Sequence, residues 1–488
     1  MNLSKSKYCN GIQCMKMLWL DKNKKEEKKE LNESVLETGN FVHEIAKYLF
    51  GEHINIEFNE NLNEMIDNTY RTIESYKNVI ITEASFNFNN NFCSVDILKK
   101  ENNKYELYEV KSSTEAKDIY IKDISYQYYV LNNLKMKIDK CYLLHLNNNY
   151  VRKGNLELDK LFIINDVTDE VLNLQNEVKK NIDKINKYME KENEPSDSIS
   201  INCFSPYECP FFDYCTTNLE KPNIFDVRSM PNKTKFELYN KNIYKYTDLL
   251  KENINDKYKQ QIEFELYDKE DYINKEKIRK FLNTLDKDIY FLDFETYQQP
   301  IPLFDNVKPY MQIPFQYSLH YLINNELKHK EFLGDGVNDP RYELAKSLVN
   351  DIPINSCTVA YNMSFEKSVI KNLSELFPDL SDHLMNIHDN MKDLMIPFKN
   401  RDYYTKDMKG SYSIKYVLPA LFPNDPSLDY HNLDMVHNGS EAMNSYANMN
   451  NLDEDDKNKL RYNMLKYCEL DTYAMVKIYE KLNEVIID

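Results

Sequence analysis

Two stretches of this chain switch from a helical to a period-two apolar pattern, and they lie far apart. ITEASFNF, FCSVDILKK and YELYEVKSS, between residues 79 and 112, read as three strands with Asn-rich turns at 88–91 and 101–104. At 288 the pattern returns with DIYFLDFET, followed by strands at 314–323 and 328–333. Each block is flanked by helical spacing. Before the first, Val35, Val42, Ile45, Leu49 and Phe50 share a face over 35–50. After it come a helix at 119–134, a strand at 141–147 and a helix at 168–192. The second block is followed by helices at 339–350, 363–377 and about 455–485, with a strand at 356–361. Two such blocks in 488 residues exceed one ordinary core. The mixed order predicts an α/β fold with an N-terminal domain at 1–217, a helical connector at 218–285 and a C-terminal domain at 286–488.

Composition narrows the function. Apolar residues at 42% and aromatics at 13% suffice for packed domains. Eight glycines, and neither a P-loop nor a G-x-G-x-x-G, argue against a phosphate-cradling loop. No apolar run approaches the ~20 residues that span a bilayer, and Met1 to Trp19 has no signal-peptide core. The expectation is a cytoplasmic protein without a membrane partner, whose nine cysteines are thiols or metal ligands. A net charge of −17 argues against tight, non-specific binding to long duplexes. Carboxylate-rich metal sites would account for part of that charge.

Asp96 lies on one strand of the first block, and Glu109 and Lys111 lie on the next, two residues apart and so on one face. A hairpin can bring Asp96 beside them. Paired carboxylates call for a hard divalent ion, Mg²⁺ or Mn²⁺, and a neighbouring lysine can stabilise charge on a phosphate. His43, on the preceding helix, can add a nitrogen ligand. The ordered set of Gly39 and His43, Asp96, Glu109 and Lys111, then Gln127 resembles the RecB-like branch of the PD-(D/E)XK nucleases over roughly 1–217. The resemblance implies that Asp96, Glu109 and His43 bind metal, that Lys111 is the catalytic lysine, and that Gln127 contacts substrate at the site's edge. Leu131 departs from the family, many of whose members have Tyr there.

Cys203, Cys209 and Cys215 are evenly spaced, with five residues between each pair, and Cys14 lies far upstream. Zinc knuckles are tighter than this, so the wider spacing suits an iron–sulfur cluster on four thiolates, with Zn²⁺ the alternative. The arrangement resembles the iron–sulfur subgroup of the RecB-like nucleases, which implies a 4Fe–4S cluster. Cys14 stands where that subgroup's first cysteine stands, with Cys9 its rival.

In the second block, Asp293 and Glu295 alternate with Phe294 and share one face. Two acids on a strand within an apolar run are costly unless they hold metal. Tyr467 and Asp471 share a helical face, and AYNMSFE at 360–366 runs from strand into helix. This order resembles the DEDD exonucleases, with the RNase H-like fold, over roughly 286–488. The resemblance implies two metal ions on Asp293, Glu295 and Asp471, with Tyr467 orienting the attacking water. At the middle acid the family has N-x-x-F-D, and this chain has Asn362, Phe365 and Glu366; Asp393 is a second candidate. Lys415, with Ser411 and Ser413, can contact phosphate or simply begin a helix.

The full order of motifs resembles a largely uncharacterised bacterial family that fuses a RecB-like nuclease domain to a DEDD-like domain. The expectation is a metal-dependent nuclease acting on DNA ends or single strands. An RNA-processing exonuclease and a non-catalytic nucleic-acid-binding adaptor are the alternatives.

Overall fold

The computed structural model describes residues 2–29 and 33–487, without the side chains of 33–38, so Val35 lies outside the described side chains. The fold is α/β, in two compact units. The first comprises Met1–Leu219 with Gln299–Tyr310, and the second Glu220–Gln298 with Met311–Asp488. Among the described residues no helix is long and apolar enough to cross a membrane.

The first unit opens with helices α1 (Lys5–Gln13), α2 (Met15–Asn23) and α3 (Glu33–Lys47). After β1 (Ile54–Asn55) and α4 (Leu62–Ser75) come β2 (Asn78–Phe88), β3 (Asn91–Glu101) and β4 (Lys104–Lys111). Helix α5 (Asp118–Asn133) then crosses to β5 (Ile138–Leu146), and β6 (Phe162–Asp166) closes a sheet of order β1-β2-β3-β4-β5-β6. The α5 crossover makes β4 and β5 parallel, while the short turns make β2–β3 and β3–β4 antiparallel. The helix expected at 168–192 is two, Thr168–Asn173 and Gln175–Met189; at the break Gln175 Nε2 donates to the Val171 carbonyl (2.8 Å). One sheet face packs Val42 and Ala46 of α3 against Ile97, Val110 and Leu144, and Ile301 joins that core. Arg152 and the 299–310 segment exchange backbone hydrogen bonds, Arg152 N to Val307 O (3.1 Å) and Asn306 N to Arg152 O (2.9 Å).

In the second unit, β7 (Tyr272–Ile273) precedes β8 (Ile289–Tyr297), β9 (Ile313–Ile323), β10 (Glu326–Leu333), β11 (Cys357–Ala360), β12 (Met391–Asp393) and β13 (Tyr403–Tyr404). Five of these form a sheet of order β10-β9-β8-β11-β12, and β7 pairs with β13. Strand β8 is central, antiparallel to β9 and parallel to β11. Its alternation sorts its side chains: Ile289 and Phe291 enter one core, and Tyr290, Leu292 and Phe294 the other. The 34-residue C-terminal helix, Glu454–Ile487, packs on β8 and β9. Gln316 Nε2 holds it by donating to the Met464 carbonyl (2.9 Å).

The domain limits differ from those expected. The connector has a small core around Ile224, Leu249 and Ile262. Phe264, Ile278 and Leu282, however, enter the same core as Phe291 and Leu470, so the segment groups with the second unit. Apolar faces on short helices need cover, and here the larger core provides it. Conversely, the β8–β9 connection, 299–310, groups with the first unit.

Candidate active sites

The first centre lies at the ends of β3 and β4. Asp96 is buried, and its Oδ2 accepts from Val110 N (2.7 Å) where the β3–β4 ladder stops at the Ile97–Tyr108 pair. The carboxylate therefore takes the place of a ladder carbonyl and is fixed beside Glu109. Lys111 donates to Glu109 Oε1 (2.6 Å) and to Asp123 Oδ2 (2.7 Å). Gln127 was expected at the site's edge. It is instead fully buried beneath the acids, with Nε2 donating to Glu109 Oε2 (2.6 Å) and Asp123 Oδ1 (3.1 Å). Its burial and these bonds through Nε2 make it a supporting contact of the acids, while its Oε1 has no hydrogen-bond partner. The Nε2 of His43 stands 4.0 Å from Asp96 Oδ2.

Three further residues belong to this centre. Lys5 of α1 places Nζ 2.8 Å from Asp96 Oδ1 and 3.2 Å from both Glu109 oxygens. Asp123 is one turn before Gln127 on α5. Glu83 falls between the Thr82–Ile97 and Ala84–Val95 pairs of the β2–β3 ladder, near enough to feel Asp96, with a left-handed backbone (φ 57°), an uncommon state for a strand residue. Ser94 Oγ donates to its carboxylate (3.1 Å). The two lysines offset part of the acids' charge. Burial pushes Glu109 up, but Lys111 and Lys5 outweigh it and hold the carboxyl well below its ordinary value. Burial, with Glu109 beside it, pushes Asp123 up to about 6.

Cys14, from the start of this unit, and Cys203, Cys209 and Cys215, from its end, lie near enough to feel one another's charge. Cys203 and Cys209 are buried, and Cys14 and Cys215 are partly so. Gln13 ties α1 to their loop by donating to the Asn202 (2.8 Å) and Tyr207 (2.7 Å) carbonyls. Cys14 caps α2, its Sγ accepting from Met17 N (3.4 Å). Burial raises Cys209 to about 12 and Cys215 to about 11, and each feels Cys14 and Cys203. Cys9 faces elsewhere: its charged neighbours are Asp123, Lys111, Glu109 and Lys5.

The second centre sits on β8 and the C-terminal helix. Ligand oxygens of Asp293, Glu295 and Asp471 all lie within 4.8 Å of one another; among the described residues, no other three Asp, Glu, His or Cys side chains come so close. Buried Glu366 adds a fourth acid that raises Asp293 and Glu295, and its Oε2 has no hydrogen-bond partner. Asp393, its rival, is committed elsewhere. Its Oδ1 accepts from Asn362 N and Met395 N, both at 3.0 Å, and so pins the turn after β11. Asn362 makes that turn with a left-handed backbone (φ 73°) and exposes its side chain. Tyr430, which the sequence reading overlooked, donates to Asp471 Oδ1 (2.6 Å); Tyr467 also bonds Asp471. Burial and mutual repulsion push these acids up: Glu295 to about 8 and Asp293 well above its ordinary range. Burial raises Glu366 to about 8 and Asp471 to about 6. Lys415 acts on Glu295 and Asp471 through space. It lines two open cavities, of about 1120 and 730 Å³, the second reaching Glu295. Ser413 begins its helix without a side-chain cap, and Ser411 Oγ accepts from Ser413 N (3.2 Å).

Comparison with known proteins covers parts of the chain. Residues 290–413 match a family model described as Domain of unknown function (DUF2779). A Mycoplasma genitalium protein, "Uncharacterized protein MG366", is 28% identical over 229 residues, 43% of this chain and 34% of that protein. "Uncharacterized protein UU173" of Ureaplasma parvum is 25% identical over 229 residues, 42% of this chain and 32% of its own length. The chain thus spans about a third of the length of these curated relatives.

Proposed function

We propose that this chain is a metal-dependent nuclease acting on DNA ends or single strands. In this reading the first unit is a RecB-like PD-(D/E)XK domain and the second a DEDD-type, RNase H-like domain. The observation that carries it is the close, partly buried triad Asp293, Glu295 and Asp471, with buried Glu366 beside it. Like charges this close and partly withdrawn from water are costly without a cation, and oxygen donors suit Mg²⁺ or Mn²⁺. When bound, such ions polarise the scissile phosphate and neutralise charge developing on it. Asp293, Glu295, Asp471 and Glu366 would hold them. Tyr467, bonded to Asp471, would orient the water whose oxygen bonds phosphorus as the bond to the leaving sugar oxygen breaks and that oxygen takes a proton.

In the first unit Asp96, Glu109 and His43 would hold one ion, and Lys111 would stabilise the charged phosphate. A second reading applies to this centre alone. The Lys5 ammonium already bridges Asp96 and Glu109, which favours a nucleic-acid-binding unit that does not cut. The thiol quartet supports a 4Fe–4S cluster. Zn²⁺ held by the same four thiolates is the alternative. Absorption near ~400 nm in anaerobically purified protein, lost in Cys14→Ser and kept in Cys9→Ser, is the expected result; colourless protein with bound zinc overturns it.

The test of function is cleavage of end-labelled single- and double-stranded DNA and RNA with Mg²⁺, Mn²⁺ or EDTA. Metal-dependent cleavage of DNA is expected. Cleavage of RNA alone selects the RNA-processing alternative, and intact substrates throughout overturn the proposal.

A further inference from the structure

Around Lys111, three tyrosines arrive from three distant parts of the first unit. Tyr120 comes from the first turn of α5, and the Lys111 ammonium stands 5.3 Å from its ring centroid. Tyr207 comes from the loop between Cys203 and Cys209; its phenol is hydrogen-bonded to that of Tyr120 and it feels the charge of Lys111. Tyr310 closes the 299–310 segment, its phenol donating to the Ser112 carbonyl (2.6 Å), one residue beyond Lys111. Tyr207 is 51% exposed, and Tyr120 and Tyr310 are half-buried, Tyr310 with one side against the core of Val110 and Ile301. Aromatic rings left this open beside the Lys111 ammonium need a reason.

The charge beside them is cationic. Exposed Lys117 approaches the same Tyr120 ring (6.0 Å). Lys117 and Lys122 line an adjoining cavity of about 370 Å³ with Gln13, Asn202 and Pro206, where Asp118 is the acid. Aromatic faces interleaved with lysines are what an unpaired strand needs: bases stack on the rings and phosphates meet the ammoniums. A duplex keeps its bases stacked on one another and gains nothing from the rings.

We infer that Tyr120 and Tyr207 form a stacking platform that seats an unpaired base of single-stranded DNA beside Lys111, with Tyr310 as its brace. The inference rests on the nuclease reading only for what happens next to the seated base. The phenols of Tyr120 and Tyr207 are bonded to each other, and that of Tyr310 to Ser112, so the ring faces are the main surface offered. Stacking on ring faces requires no 2′-OH, so deoxyribose suffices for binding.

The experiment measures fluorescence anisotropy of a labelled thymidine 20-mer on the full chain, with Ca²⁺ replacing Mg²⁺. Tyr207→Ala is expected to weaken binding about tenfold, the effect of one lost stacked base. Tyr207→Phe keeps the ring and stays within about twofold of the unsubstituted chain. A blunt duplex of equal length should bind Tyr207→Ala and the unsubstituted chain alike. Tyr120→Ala should match Tyr207→Ala; should it fail to fold, exposed Tyr207 carries the test. Unchanged binding in Tyr207→Ala, or an equal loss on the duplex, overturns the platform. A larger loss on a uridine 20-mer than on thymidine overturns the choice of DNA. The two readings fail separately. A chain that cuts the thymidine 20-mer but binds it equally with Tyr207→Ala refutes the platform alone. One that binds through Tyr207 yet cuts nothing with Mg²⁺ or Mn²⁺ supports the platform and refutes catalysis.

Discussion

The two acidic centres solve the same problem in opposite ways. In the first, buried Asp96, Glu109 and Asp123 are matched by Lys5 and Lys111, each ammonium within 3.2 Å of two carboxylates. In the second, Asp293, Glu295, Glu366 and Asp471 face one another, and the partners of Asp471 are neutral phenols. A buried charge is tolerable when paired or when a metal neutralises it. The first centre is therefore largely compensated without metal, and a cation entering it must displace Lys5 from between Asp96 and Glu109. The second is unbalanced until protons or cations arrive. Metal should thus be a competitor of Lys5 in the first unit and a structural counter-charge in the second.

The largest expected effect is on cleavage. Lys111→Ala and Asp293→Ala should each remove a different activity by about 10²–10³-fold or more, since the first removes a cation aimed at charge in the transition state and the second a ligand of the ions that would do the same. Product ladders from the same labelled strand separate the two activities. Unchanged cleavage in both variants breaks the comparison at its root. Lys5→Met sharpens it: with the resident ammonium gone, the first centre should take Mn²⁺ about tenfold more tightly, measured calorimetrically on the Asp293→Ala background. Unaltered or weaker affinity would mean that Lys5 is a partner of the metal and not its competitor.

These centres were unequally legible in the sequence. Asp96, Glu109, Lys111, Asp293 and Glu295 were readable because apolar alternation marks their strands and fixes which residues share a face. Tyr467 and Asp471 were readable from helical spacing on a long apolar-striped helix. Asp123 had a usable signal, four residues before Gln127 on the same helical face, that went unused. Lys5 had none: in a Lys-rich start it looks like solvated surface, and only the packing of α1 on α5 carries it to the acids. Tyr430 lies in an irregular stretch with no period to read, and the 299–310 segment looks like an ordinary strand connection. Residues delivered by long-range packing leave no local pattern.

Stability in EDTA gives the next contrast, read by hydrogen exchange so that each unit reports on itself. Lys5→Met should destabilise the first unit by about 2 kcal/mol, below the usual cost of breaking a fully buried pair because Lys5 is partly exposed. Asp293→Asn should instead stabilise the metal-free second unit by about 1 kcal/mol, because it removes one of several buried like charges. Destabilisation by Asp293→Asn in EDTA would show that the second centre is balanced by a partner after all.

The last contrast is in pH, and its sign distinguishes the centres. Glu295 and Glu366 are raised to about 8, so between about 4.5 and 8 the folded second unit holds protons that the unfolded chain has released. Its stability in EDTA should then be full at low pH and fall as pH rises through that window. Glu109 is depressed, so its contribution is present above about 4.5 and is lost on acidification; Asp123, raised to about 6, opposes it in part. Saturating Mg²⁺ should flatten the second unit's slope, since a bound cation keeps the acids ionised, and Glu295→Gln should reduce it without metal. A slope in EDTA that survives Glu295→Gln unchanged would assign the protons to other groups. That result would also remove the electrostatic argument that the second centre is the more metal-dependent of the two.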